Sequence, residues 1–338
     1  MALRVMRFIL VQQPAKNNDL SGILDLLCKP GGQFVRIHAM KYLVFLAAGL
    51  VLTVSASAQT CVDAAKVVAP SLLASARETY DAKLAEARDA YFKDPIDADA
   101  IIWLGRRTAY LGEYKEAIKI FTEGIAKHPK DARFLRHRGH RYVSIRCFDD
   151  AIRDLEAAAK LIKGKPDEIE PDGLPNAQNI PTSTLQSNIW YHLGLAYYVK
   201  GDFKRAANAY KECMKVSTNP DMLAATTHWY YMTLRRLEQN KDALGLLEPI
   251  DGDFEVIEND DYLKLLRLYR GEARPAMLME SIGDKAETLG NASLGYGLGA
   301  WYLYNGDRPM AMQIFRRIVA GSQWSSFGYI AAEAELKR

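Results

Sequence analysis

The sequence predicts an all-α protein: a right-handed superhelical solenoid of stacked helical hairpins, closed by a capping helix at each end. Three observations predict it. Leu-Gly and Gly landmarks recur on a fixed spacing, with Gly105 and Gly139 standing 34 residues apart. Around each, one order of residue types repeats: a small residue and aromatics in a first helix, a tight Gly-x-aromatic turn, then an alanine and a large apolar residue in a second. The flanks, 71–92 and 325–338, are helical by composition and amphipathic pattern.

From the N-terminus, residues 1–39 read as an extension that an over-long gene reading adds ahead of the true start, Met40. Met40-Lys41, the apolar run 42–54 and Ser55-Ala56-Ser57-Ala58-Gln59 form a short basic start, a core too short to span a bilayer comfortably, and an Ala-x-Ala site. Residues 40–58 are therefore expected to be a signal peptide cleaved after Ala58, placing the mature chain in the periplasm or outside the cell with no stable membrane insertion. The alternative is a retained anchor with a cytoplasmic extension. Ala58-Gln59-Thr60 lacks the pattern that would direct lipidation of Cys61. Export would place Cys61, Cys147 and Cys213 where a disulfide can form, one thiol being left over. The alternative role of Cys147 and Cys213 is as small core or turn residues, and the spacing of the three fits no metal site.

Residues 59–97 are expected to be an N-terminal helical cap that ends where Asp94-Pro95 interrupts it. Two repeats follow over 98–163: Leu104-Gly105, Gly112-Glu113-Tyr114, Ala117, Phe121 and Pro129, then Gly139, Tyr142, Phe148, Ala151 and Leu155. Residues 187–248 hold a third and fourth. Trp190, Leu193, Gly194 and Tyr197 lie on the first helix of the third, Gly201-Asp202-Phe203 makes its turn, and Ala206 and Tyr210 follow; Trp229, Ala243 and Leu247 anchor the weaker fourth. Residues 249–290 read as a degenerate repeat without the Gly and Ala landmarks. The pattern returns over 291–338 in Leu298-Gly299, Tyr302, Gly306-Asp307, Ala311 and Phe315, before a capping helix. Small residues let paired helices approach, and aromatics fill the gaps between hairpins.

These landmarks resemble the tetratricopeptide-repeat (TPR) superfamily over roughly 98–320. The resemblance implies a protein or peptide partner held in the concave groove lined by the first helix of each pair, and says little about chemistry. Projecting the register places Arg106 and Tyr110, then Arg133, Arg136 and His140, then Asn188, Tyr191 and Tyr198 on that wall. The arginines suit an acidic partner or a carboxylate, unless acids of the same chain neutralise them. A small anionic ligand, or an enzyme built on the arginine cluster, is the alternative.

The period breaks at 164–186, a Pro-rich insertion with Asp167, Glu168, Glu170 and Asp172 in its first half. It is expected to fold back over the basic groove. Charge is nearly balanced, 44 Lys and Arg against 41 Asp and Glu, so nothing global points to nucleic acid. The acidic stretch 252–261 lacks the ligand spacing of a calcium loop. His137 and His140 have no acidic or thiol neighbour to complete a metal site, and no nucleophile elbow, phosphate loop or His-Glu-x-x-His occurs. No cofactor is expected.

Overall fold

The computed structural model describes residue 61 and residues 66–173, 175–282 and 288–338; the expected signal peptide and the extension before it lie outside the described residues. Fourteen helices follow one another within them. They are α1 (Ala74–Lys93), α2 (Ala98–Tyr110), α3 (Tyr114–Lys127), α4 (Ala132–Ser144), α5 (Phe148–Ile162), α6 (Leu185–Lys200), α7 (Phe203–Val216), α8 (Pro220–Arg236), α9 (Asn240–Gly245), α10 (Asp260–Tyr269), α11 (Pro275–Ile282), α12 (Leu289–Tyr304), α13 (Arg308–Val319) and α14 (Phe327–Leu336). Among the described residues there is no strand, only an isolated antiparallel bridge between Ile169 and Thr184. None of the helices is long and apolar enough to cross a membrane.

Helices α2 to α13 form six hairpins, and each turns through one left-handed residue: Gly112, Arg146, Gly201, Glu238, Gly271 and Gly306. Four of the six are glycine, the residue that reaches this conformation without a Cβ clash. Five residues beyond the turn an alanine recurs; Ala117, Ala151, Ala206, Ala243 and Ala311 are fully buried against the preceding helix. The hairpin α10–α11, expected to lack these landmarks, keeps Gly271 and Ala276 in register. Ala276, in the first turn of the eight-residue α11, is exposed. Side-chain caps start the helices: Asp97, Asp131, Asp202, Asn219 and Asp307 each accept an early backbone N–H, and Thr184 and Ser187 form a capping box on α6.

The first helices of the hairpins line one face. Helix α4 packs on α2 and α6, α8 on α6 and α10, and α12 on α10 and again on α8. The array therefore turns back on itself. Helix α14 packs on α12 and α13 and also reaches α6, so it covers more than the last repeat. It is pinned there by Glu335, which is 2% exposed and takes Arg236 at 2.8 Å and Arg338 at 2.5 Å. One apolar core runs unbroken from α4 to α14.

The N-terminal segment joins the same body covalently. Cys61 is bonded to Cys147 across 86 residues of sequence, and Cys213 is a free thiol buried in the third hairpin. In the α4–α5 turn, next to Cys147, Arg146 takes a left-handed backbone that costs a side-chain-bearing residue about 1–3 kcal/mol. Its guanidinium offsets this by binding Glu333, the carbonyls of Ser144 and Trp324, and the Trp324 ring face 3.7 Å away.

Candidate functional site

Because the array curls and α14 crosses it, the concave face is a partly enclosed chamber of about 740 Å3. Its wall draws on α2 (Tyr110), α4 (Arg136, His140, Arg141), α6 (Asn188, Tyr191, His192), α8 (Met222), the start of α10 (Tyr262) and α12 (Ser293). Pro70 and Leu72 of the N-terminal segment and Phe327 of α14 close it further.

The insertion covers one side. Backbone bonds Glu170–Ser183 and Leu185–Glu168 narrow it into a loop, and the Asp167 carboxylate receives the Gln186 N–H at the start of α6. The far end then lies on α2 and α4: Arg106 donates to the Pro171 carbonyl at 2.8 Å and Arg107 to the Gly173 carbonyl at 2.7 Å. The approach is so close that a Cβ on Gly173 would overlap the Tyr110 hydroxyl. Glu170, 8% exposed, takes Arg136 at 2.9 Å and Asn188 at 3.2 Å. Of the four acids in the insertion, Glu170 is the one paired with the arginine cluster, and two arginines are satisfied by carbonyls instead.

The eight residues projected onto the groove separate into groups. Tyr110, Arg136, His140, Asn188 and Tyr191 line the chamber together. Arg106 is buried under the insertion. Arg133 faces away, held by Asp99 and Asp131 at 2.6 Å each, which lift its pKa further. Tyr198 is 1% exposed, packed against Trp229 of α8 at 5.3 Å, and its hydroxyl accepts from Tyr296 of α12. Arg133 and Tyr198 are therefore corrected from groove residues to a surface ion-pair residue and a core residue.

The register missed Arg141 as a wall residue. It is partly buried and lines the chamber, and among the described residues it has no carboxylate or carbonyl partner; its guanidinium lies 5.9 Å from the centre of the Tyr114 ring. Burial pushes its pKa down to about 10, still charged at neutral pH. Beside it, His140 stacks on His192 at 4.2 Å and on Phe327 at 5.4 Å. Burial first, then neighbouring arginines, holds both imidazoles well below their ordinary pKa, so they are neutral. The His140 Nδ1 and Arg136 Nε atoms are buried with no hydrogen-bond partner. Asp172, Glu258 and Asp261 also line the chamber; burial and then Glu258 raise the pKa of Asp172.

Among the described residues, the close grouping of possible metal ligands is Cys61, Cys147 and Asp150, whose sulfurs are spent on the disulfide. A larger cleft of about 940 Å3 opens between α5, α6 and α7, floored by Trp190 and Tyr197 and edged by exposed lysines.

Residues 187–219, the α6–α7 hairpin, match the family model of the tetratricopeptide repeat. No curated protein matches the chain in sequence. Similar solved structures include a tetratricopeptide repeat protein from Parabacteroides merdae, 14% identical, covering 76% of this chain and 94% of that one at a TM-score of 0.43. YrrB, described as a TPR protein with an unusual peptide-binding site, is 13% identical and covers 75% and 98% at a TM-score of 0.39. MamA of AMB-1 is 17% identical, covering 51% and 88% at 0.38. TM-scores this low assign no binding site.

Proposed function

We propose that this tetratricopeptide-repeat protein is a non-enzymatic binding scaffold that receives a short segment of a protein or peptide partner in its concave chamber, and that it acts in the periplasm or outside the cell. The observation that carries this reading is the convergence of side chains from the first helices of all six hairpins, with the insertion and α14, on one chamber of about 740 Å3. That volume is in the range of binding pockets. An extended peptide rises about 3.3 Å per residue, so the enclosed wall suits a chain end or a few residues better than a strand running the length of the array.

The Cys61–Cys147 bond supports the expected export, since such bonds persist in oxidising compartments. The enclosure also favours the second reading, a small anionic ligand.

A photo-crosslinking side chain placed at Tyr191, inside the chamber, and at Lys115, exposed on α3, tests the site in the host that makes the protein. A partner is expected to be trapped from position 191 and not from 115. Equal trapping, or trapping from 115 alone, would remove the chamber from the function.

A further inference from the structure

Taking the binding reading as its premise, we infer that the ligand group seated in the chamber is a single carboxylate on a compact apolar or aromatic body, anchored by Arg141. The charges on the wall lead there. Arg136 is already matched by Glu170, and Arg106 and Arg107 by backbone carbonyls. Arg141 has no such match among the described residues, although it is partly buried and lines the chamber. A guanidinium withdrawn from water without a counter-charge is costly to hold. An anion entering from outside supplies the missing charge, and a carboxylate fits the planar donor fork.

Beside Arg141, His140 and Arg136 line the same wall, their Nδ1 and Nε atoms buried out of reach of solvent and without partners. The charge count then sets the valence. The histidines there are neutral and Asp261 is held by Lys264 at 3.2 Å, so Arg141 is the wall cation without an ion pair, while Asp172 and Glu258 on the same wall oppose a doubly charged anion more strongly than a singly charged one. A monoanion is favoured over phosphate. The rest of the wall fixes the body of the ligand: Tyr110, Tyr191, His192, Tyr262, Phe327 and Met222 offer rings and an apolar side chain.

A free organic acid and the C-terminal residue of a peptide carry the same chemistry. Titration calorimetry on the full, disulfide-intact chain separates them with four probes: 3-phenylpropionate, its uncharged amide, a tripeptide Gly-Ser-Phe blocked at the amine with its carboxylate free, and inorganic phosphate. Either carboxylate is expected to bind one per chain, with the amide and Arg141→Gln each at least about tenfold weaker, Arg141→Lys intermediate, and phosphate without competition. Binding of the free acid assigns a small-molecule ligand; binding of the tripeptide alone assigns a chain end.

Equal binding by the amide or by Arg141→Gln would overturn the assignment. So would silence from both carboxylates; if the crosslinker at 191 still traps a partner, the scaffold reading survives that loss, and if it does not, both fall. Folding supplies a second readout. An uncompensated cation is not a structural support, so ligand-free Arg141→Gln is expected to melt no lower than wild type. A fall of several degrees would make Arg141 a structural residue and sink the proposal.

Discussion

Gly194 is where two helices of the third hairpin touch: a Cβ built there would stand 2.6 Å from the ring of Tyr210, which is fully buried. The same contact recurs between Gly105 and Phe121, Gly139 and Leu155, and Gly299 and Phe315, the partners standing sixteen positions apart each time. The small residue on one helix and the large one on the next are one interlock, repeated. Gly194→Ala should gain about 1 kcal/mol of helix propensity and lose about 1–3 kcal/mol to overpacking. A net loss of about 1–2 kcal/mol in urea unfolding is the expected result, with Gly245→Ala, whose Cβ would meet nothing, as a control that does not destabilise. A Gly194→Ala protein as stable as wild type would mean the pair is not what closes the hairpin. Both members of each interlock were legible in the sequence, because residue type alone encodes a local fit. Tyr198 was not: the register placed it on the inner face, and Trp229 of α8, 5.3 Å away, together with Tyr296 of α12, about a hundred residues later, buries it.

The insertion shows how much of an element a sequence carries. Its prolines and its break in the period announced a loop, and its acids announced a preference for the arginines. That Glu170 would find Arg136 while Asp167 received an N–H of α6 depends on the two backbone bonds that narrow the loop, and composition does not encode these. The N-terminal segment was legible in the same partial way. Three cysteines allowed one bond, and the structure selects Cys61–Cys147 because Cys213 is enclosed among the side chains of its own hairpin. Closing an 86-residue loop reduces the freedom of the unfolded chain, so Cys147→Ser is expected to lose about 2–4 kcal/mol of stability. Denaturant unfolding with and without dithiothreitol checks it: reductant should bring the wild type down to the variant and leave the variant unchanged. A wild type indifferent to reductant would show that the bond contributes nothing in solution.

At the scale of the whole molecule, the curl of the array withdraws His137, His140, His192 and His228 from water along the inner helices. The sequence placed these histidines on helices but could not show that they would be enclosed, since enclosure follows from the closing of the array on itself. Burial depresses all four pKa values; that of His228, stacked on Tyr262 at 4.7 Å and bonded to the Tyr269 hydroxyl, falls to about 3. The sign follows from which state takes up the proton. Above pH 6.5 these imidazoles are neutral in both states and add no pH dependence. Below it the unfolded chain binds protons that the folded chain refuses, so stability falls as pH drops, by up to about 1.4 kcal/mol per pH unit for each histidine. For His228 the loss runs from 6.5 down to about 3. Glu333, held below its ordinary pKa mainly by Arg146 against the opposing effect of burial, adds a loss of the same sign at still lower pH. The melting temperature is therefore expected to stay level between pH 8 and 7 and to decline from about 6.5 downward. His228→Phe should flatten that decline by one proton's worth whatever its starting stability, because slope and baseline are separate readings. A melting temperature that holds level through this range, or a His228→Phe protein that keeps the full wild-type slope, would mean that protons reach these rings in the folded state and that the inner face is open to water.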